Sequence, residues 1–430
     1  MAEYLKQAAP WASQSSDDVR QTVSEMLSRI EREGLDAVRD YSRRLDSWDP
    51  PSFVVDESTI RRSADPLSEE LQTHIAYAQQ QVQEFARRQR ETMTDLEVEL
   101  RPGVVLGHKH IPVDGVGSYV PGGRYPMLAS SFMTVLVPKV AGVPRVVACA
   151  PPWHGEGIHP AMLYAISTSG ADQILCVGGV QALAMVAFGL GGVEPVDMIV
   201  GAGNAYVAEA KRQLFGRVGI DLLAGPSEIT VIADDGADVE LVAADLLGQA
   251  EHGPTSPVVL ICLSEAFGRR VIEEAERQLA ELGDDTARAA WTDYGSVIVA
   301  ADREEAAQVS DAVAPEHLEV HAADEDWWLA RLREYGSLFL GSLTTVAFSD
   351  KGTTGTNHVL PTGRAARYSG GLSALRFVKT LTYQRVTDPE ASRPLAEAVA
   401  EISAAEGLPA HGATATRRLA RLENPSERMS

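Results

Sequence analysis

Short apolar runs, each followed by a stretch able to form a helix, recur through the middle of the chain and restrict its fold class. The runs "RVVACAP" (145–151), "QILCVGG" (173–179) and "DMIVGAGN" (197–204) are close to continuous in apolar residues. A strand that does not alternate polar with apolar is covered on both faces, as in a parallel sheet with helices on either side. After "SEITVIADD" the same grammar begins again with "PVVLICL" (257–263), "GSVIVAAD" (295–302) and "GSLFLG" (336–341), separated by helical segments such as 264–282 and 325–335. Two successive βαβ series predict an α/β protein with two Rossmann-like doubly wound domains and a boundary near residue 235.

The flanks read differently. Residues 16 to about 90 have helical periodicity: Ser16 can cap a segment whose Val19, Val23, Met26, Leu27 and Ile30 share a face, and Gly34 suits its end. From about 98 to 120, "VELRPGVVLGHKHIPVDGVGSYVP" turns to strands with Pro-Gly and Asp-Gly turns. After Gln384 the chain returns to helix, with "PLAEAVAEISAAEGLPAH" as an extended arm. The expected organisation is an N-terminal helical segment (1–100), a first Rossmann-like domain (101–235), a second (236–385) and a C-terminal helical arm (386–430).

With 430 residues, the chain is too long for one core, in keeping with this division. Its net charge of −22 argues against a nucleic-acid or anionic-membrane partner, which needs clustered Lys and Arg, but leaves an anionic small molecule open. The opening residues lack the apolar core of a signal peptide, and "FMTVLVPKVAGV" is broken by Pro138 and Lys139 before it could span a membrane. Cys149, Cys176 and Cys262 have no paired spacing and read as buried thiols, so a reducing cytoplasm is the expected location.

Four histidines stand beside a carboxylate or carboxamide at element ends or in Gly-rich stretches. They lie in "GQAEHGP" (248–254), "APEHLEV" (314–320), "FSDKGTTGTNHVLPT" (348–362) and "AEGLPAH" (405–411). The other histidines look ordinary. Element ends are where α/β folds put their sites, and imidazole, carboxylate and amide donors together suit zinc. Spacing alone does not select a metal, because no HxxxH or CxxC pattern is present. "GAGNAY" (201–206) joins a strand to a helix but lacks the third glycine of the dinucleotide fingerprint; it fits either a pyrophosphate turn or a plain tight turn.

In this order, the segments "GSYVPGG", "PKVAGV", "GGVQALA", "GAGNAYVAEAKRQLFG", "DLLAGPSEI", "LLGQAEHGP", "APEHLE", "GTNHVLPT" and "EGLPAH" resemble the histidinol dehydrogenase family over nearly the whole chain. The resemblance implies a homodimer with one zinc ion per subunit, a C-terminal segment that completes the partner's site, and a four-electron oxidation of a primary alcohol using two NAD. It implies zinc ligands at Gln249, His252, Asp350 and His411, and an acid/base pair at Glu316 and His317. NAD contacts are implied at Tyr119, Gln181 and Asn204, and substrate contacts at Ser227, His358 and Glu406.

Several stretches look closer to the sulfopropanediol 3-dehydrogenase branch than to the biosynthetic enzyme: "WDPPSF", "GGRYPMLASSFMTVLVPKV", Ala202, Lys351 and "FVKTLTYQRV". A sulfonate needs cationic or N–H partners, whereas histidinol brings its own positive charge. Lys351 is the first candidate for the sulfonate, with Arg124, Arg376 and Lys379 behind it. The expected substrate is 2,3-dihydroxypropane-1-sulfonate, with L-histidinol as the alternative. A non-catalytic metal- or nucleotide-binding relative is a third possibility, opposed by the intact Glu316–His317 pair.

Overall fold

The computed structural model describes residues 3–9, 17–122 and 125–423; Ser16 and Arg124 lie outside the described residues. The chain forms two compact units, one from Met1–Arg90 with Val113–Phe377, the other from Glu91–Pro112 with Val378–Ser430. In chain order the strands are β1 (Glu3–Lys6), β2 (Leu96–Arg101), β3 (Val104–Pro112), β4 (Gly115–Tyr119), β5 (Arg145–Ala150), β6 (Gln173–Cys176) and β7 (Met198–Val200). They continue as β8 (Gly219–Ile220), β9 (Ile229–Ala233), β10 (Val258–Cys262), β11 (Gly295–Val299), β12 (His317–His321), β13 (Ser337–Leu340) and β14 (Val378–Val386).

The first unit holds two sheets. One is parallel throughout, in the order β6-β5-β4-β7-β8. The chain builds outward from β4 to β6 and then returns to the other side of β4, so the order reverses between β4 and β7. That reversal leaves a crevice beyond the carboxyl ends of those strands. The second sheet repeats the plan with β9 at its centre, in the order β1-β11-β10-β9-β12-β13, and only β1 runs antiparallel. The strands β4, β9 and β12 are buried at every position; β9 (ITVIA) has the apolar composition this calls for, whereas β12 (HLEVH) buries polar side chains at alternate positions. Helix Asp17–Glu33 buries Val23, Met26, Leu27 and Ile30 in a core shared with helix Gly179–Phe188. Each such fully buried aliphatic side chain contributes roughly 1.5–3 kcal/mol.

The second unit is an antiparallel sheet, β14-β3-β2, with helices Pro389–Glu406 and Pro409–Glu423. Here the structure differs from the sequence reading. Of the strands expected over 98–120, only β4 enters a parallel sheet, while β3 pairs with β14 and β2 with β3. The expected boundaries at 101 and 385 therefore fall inside strands of this antiparallel sheet. The pairing joins residues more than 260 positions apart, such as Val378 with Pro112, so no local pattern announces it.

One turn shows how the fold sets up its crevice. Gly201, directly after β7, has φ +112°, and a Cβ there would lie 2.2 Å from the Tyr119 carbonyl oxygen, so only glycine fits. The buried Lys211 donates to the Gly201 carbonyl at 2.8 Å, and the buried Asp221 accepts the Gly201 N–H at 2.7 Å. Lys211 and Asp221 also form an ion pair with each other. Removing one partner of a buried pair strands the other, at a cost of about 3–5 kcal/mol. Lys211→Met should therefore lower the urea-unfolding free energy by about that amount, whereas a loss below about 1 kcal/mol would mean that the pair does not hold the turn.

Candidate active site

The site grows from the amino end of β12, where "PEH" passes from a loop into the sheet beside β9. The Glu228 carbonyl accepts the His317 backbone N–H at 3.3 Å and also faces His317 Nδ1 at 3.0 Å. A carbonyl only accepts, so Nδ1 carries the proton and Nε2 of the neutral ring keeps its lone pair. Nε2 is buried with no hydrogen-bond partner and lies 3.8 Å from Asp350 Oδ1. Burial pushes the His317 imidazole below its ordinary value, which favours the neutral base.

Glu316 is tied down through one oxygen: Oε2 accepts from Ser227 Oγ at 2.9 Å and from the Glu228 N–H at 3.0 Å. Burial, reinforced by the Glu228 and Asp350 carboxylates, raises it well above the usual carboxylate range. Glu228 itself is pushed up to about 7 by burial, although Gly363 N–H donates to its Oε1 at 3.0 Å.

Facing this pair, helix Val239–Ala250 and helix Val346–Asp350 bring three of the expected ligands together. Gln249 Nε2 lies 3.2 Å from Asp350 Oδ2, and His252 Nε2 lies 3.4 Å from the same oxygen. A half-turn of the Gln249 carboxamide would present its oxygen instead. Separations near 3.3 Å are what neighbouring ligands of a tetrahedral zinc ion show when its bonds are about 2.0–2.1 Å. An amide, an imidazole and a carboxylate with this spacing fit that ion. Burial works to raise Asp350, but the His252 hydrogen bond and the fields of His317 and His358 outweigh it and hold the carboxyl low.

His358 Nδ1 faces the Asp350 carbonyl at 2.9 Å, leaving Nε2 toward Ser130 Oγ at 3.3 Å. Its imidazole is lowered by burial, with Lys351 adding to the effect, so that exposed cation lies within electrostatic reach of the site. Ser227 Oγ lies 3.3 Å from Gln249 Oε1. Ser227, Gln249, His252, Glu316, His317, Asp350 and His358 are thus linked by direct contacts. Glu406 and His411 are exposed residues of the second unit, at the end of one helix and the start of the next. Lys379 is on β14 in that unit, and Arg376 donates to the carbonyls of Ile220 and Asp221 at 3.1 and 2.9 Å.

Tyr119, Gln181 and Asn204 lie at or just beyond the carboxyl ends of strands of the first sheet. Tyr119 ends β4, is pushed up to about 12 by burial, and accepts the Gly179 N–H at 3.2 Å. Gln181 is buried and donates to Asp46 Oδ2 at 2.9 Å, while its Oε1 has no hydrogen-bond partner. Asn204 caps helix Ala205–Leu214, accepting from the N–H groups of Tyr206 and Val207, both at 3.1 Å. Glu228, Ser130 and Asp46 escaped the sequence reading. Glu228 follows Ser227 directly and could have been noticed; nothing local marks the other two.

The family model described as histidinol dehydrogenase matches residues 10–419. A histidinol dehydrogenase homolog of Shouchella clausii is 49% identical over 98% of this chain and 99% of its own length. The sulfopropanediol 3-dehydrogenase of Ruegeria pomeroyi is 47% identical over 97% of this chain and 96% of its own. Among solved structures, the histidinol dehydrogenase of Elizabethkingia anophelis superposes with a TM-score of 0.90 at 31% identity, covering 96% of this chain and 95% of that one.

The raised Glu228 carboxyl makes folding pH-dependent. Its pKa rises from 4.5 to about 7 on folding, so the stabilisation is full below about 4.5 and is lost as pH rises through about 7. The shift is worth on the order of 3 kcal/mol. In urea titrations, Glu228→Gln should therefore flatten the fall in stability from pH 5 to pH 8 by about 2–3 kcal/mol, and an unchanged profile would contradict this assignment.

Proposed function

The chain belongs to the histidinol dehydrogenase family, and from that membership we propose a zinc-containing enzyme that oxidises a primary alcohol, through a bound aldehyde, to a carboxylate with two NAD. It is an NAD-dependent dehydrogenase acting on a CH–OH group. The observation that carries the proposal is the buried, unpartnered Nε2 of His317 beside Asp350.

In this reading His317 Nε2 takes the alcohol proton as the hydride leaves for NAD, with Nδ1 held by the Glu228 carbonyl. Glu316 Oε1, which makes no hydrogen bond among the described residues, orients the water that adds to the aldehyde. Once His317 has released that first proton to solvent, it serves as base a second time. A zinc ion on Gln249, His252 and Asp350 would supply a template and Lewis acid for the substrate oxygens. Tyr119 at the end of β4, Gln181 in the first turn of the helix after β6, and Asn204 capping the helix after β7 are the proposed nucleotide contacts, each sheet serving as the core of a Rossmann-like domain. We assign Glu406 and His411 of the partner subunit to complete the site in a cytoplasmic homodimer.

For the substrate we favour 2,3-dihydroxypropane-1-sulfonate, oxidised to 3-sulfolactate. Lys351 supports this choice, because its charge acts on His358 beside the ligand carboxylate, where it attracts an anion and repels a cation. Ser227 and His358 would contact the hydroxyls. L-Histidinol is the second reading, supported by the whole-length likeness to a solved histidinol dehydrogenase.

Turnover of both substrates, with NADH and acid quantified, tests the choice. The sulfonate diol should give two NADH per acid; robust oxidation of histidinol with none of the diol would reverse it. Lys351→Gln should raise KM for the diol about tenfold or more with little change in kcat, as loss of a charge-assisted contact worth about 1.5–3 kcal/mol requires. His317→Asn should cut turnover by roughly 10²–10⁴, and near-full activity in that variant would remove His317 from the chemistry.

A further inference from the structure

A second polar layer runs beneath the first along the same elements. Asp245 precedes Gln249 by one turn of helix Val239–Ala250, while Glu319 and His321 follow His317 at two-residue steps on one face of β12. The ligand atoms of Asp245, Glu319 and His321 all lie within 4.8 Å of one another. His321 Nε2 is 3.2 Å from Asp245 Oδ2 and 3.6 Å from Glu319 Oε2. Glu319 and His321 are buried, and the Asp245 side chain is 15% exposed.

The outward oxygens of the two acids are occupied. Thr345 Oγ1 donates to Asp245 Oδ1 at 2.9 Å, and the Val346 N–H donates to Glu319 Oε1 at 2.6 Å. The inward atoms are not: Glu319 Oε2 and His321 Nε2 are buried with no hydrogen bond, although each points at the other groups of the cluster. No Lys or Arg among the described residues makes an ion pair with either acid.

We propose that Asp245, Glu319 and His321 form a second divalent-cation site, distinct from Gln249, His252 and Asp350 and suited to zinc. Buried, unsatisfied polar atoms call for an occupant, and a buried and a largely buried carboxylate with one imidazole call for a positive one. One nitrogen and two oxygens match the donor preference of zinc, and their separations bracket the tetrahedral edge of about 3.3 Å expected for bonds of about 2.0–2.1 Å. The cluster lies toward the carboxyl ends of β12 and β9, where His321 pairs with Ala233 and the strand order of the sheet reverses. The competing occupant is a proton on His321, which the Asp245 and Glu319 carboxylates at 3.2 and 3.6 Å also favour, so the metal content decides between the two. The site does not depend on the reaction proposed above.

Zinc content of the full-length protein, measured by plasma mass spectrometry after passage over a chelating resin, tests the proposal together with anomalous diffraction at the zinc edge. Wild type should hold two equivalents per chain, and His321→Asn and His252→Ala one each. An anomalous peak should lie within bonding distance of His321 Nε2. One equivalent in wild type, kept by His321→Asn and lost by His252→Ala, with no peak at His321, would overturn the second site and leave the proposed function intact. One equivalent lost by His321→Asn and kept by His252→Ala would uphold it and remove the metal from the reacting site instead. Should His321→Asn fail to fold, Glu319→Gln and the wild-type anomalous map decide in the same way.

Discussion

The Glu228 carbonyl oxygen faces two nitrogens of a single residue, the amide and Nδ1 of His317. Much of the site depends on that double contact. It fixes where β12 meets β9, and it fixes which nitrogen of the imidazole bears the proton. The same short stretch anchors Glu316 through the Ser227 hydroxyl and the Glu228 N–H. The acid/base pair is therefore positioned by strand register in a packed sheet, so little side-chain entropy has to be removed when substrate arrives.

Around this anchor the carboxylates are driven apart. Asp350 lies among His252, His317 and His358 and is held low, whereas Glu316 and Glu228 are pushed upward by burial, which their hydrogen bonds do not offset. Neighbouring acids with opposite shifts can divide tasks, one holding a cation while another holds or passes a proton. Two of the histidines around Asp350, His317 and His358, reinforce the pattern, because each gives Nδ1 to a backbone carbonyl and keeps Nε2 free of it.

The parallel sheets were legible because strands buried on both faces need unbroken apolar runs, and 145–151, 173–179 and 257–263 have them. The clusters around Gln249, Glu316 and Asp350 were legible because polar groups at element ends stand out against such runs, and the family resemblance supplied their roles. The β14-β3-β2 sheet was not legible, since its two parts are far apart in the chain. His321 was passed over as ordinary. "HLEVH" alternates with period two, but whether that pattern marks a wet face or a buried polar row depends on what covers the strand. Asp46 bonds Gln181 across 135 positions, a pairing that no spacing rule reaches.

The antiparallel edge strand β1 pairs Glu3 with Val299 and Tyr4 with Ile298, so the margin of β11 is sealed by a segment far upstream of it in the chain. During translation that segment emerges long before its docking groove exists and must wait, unpaired, for almost three hundred residues. Until it docks, β11 offers its free amides and carbonyls to any neighbouring polypeptide.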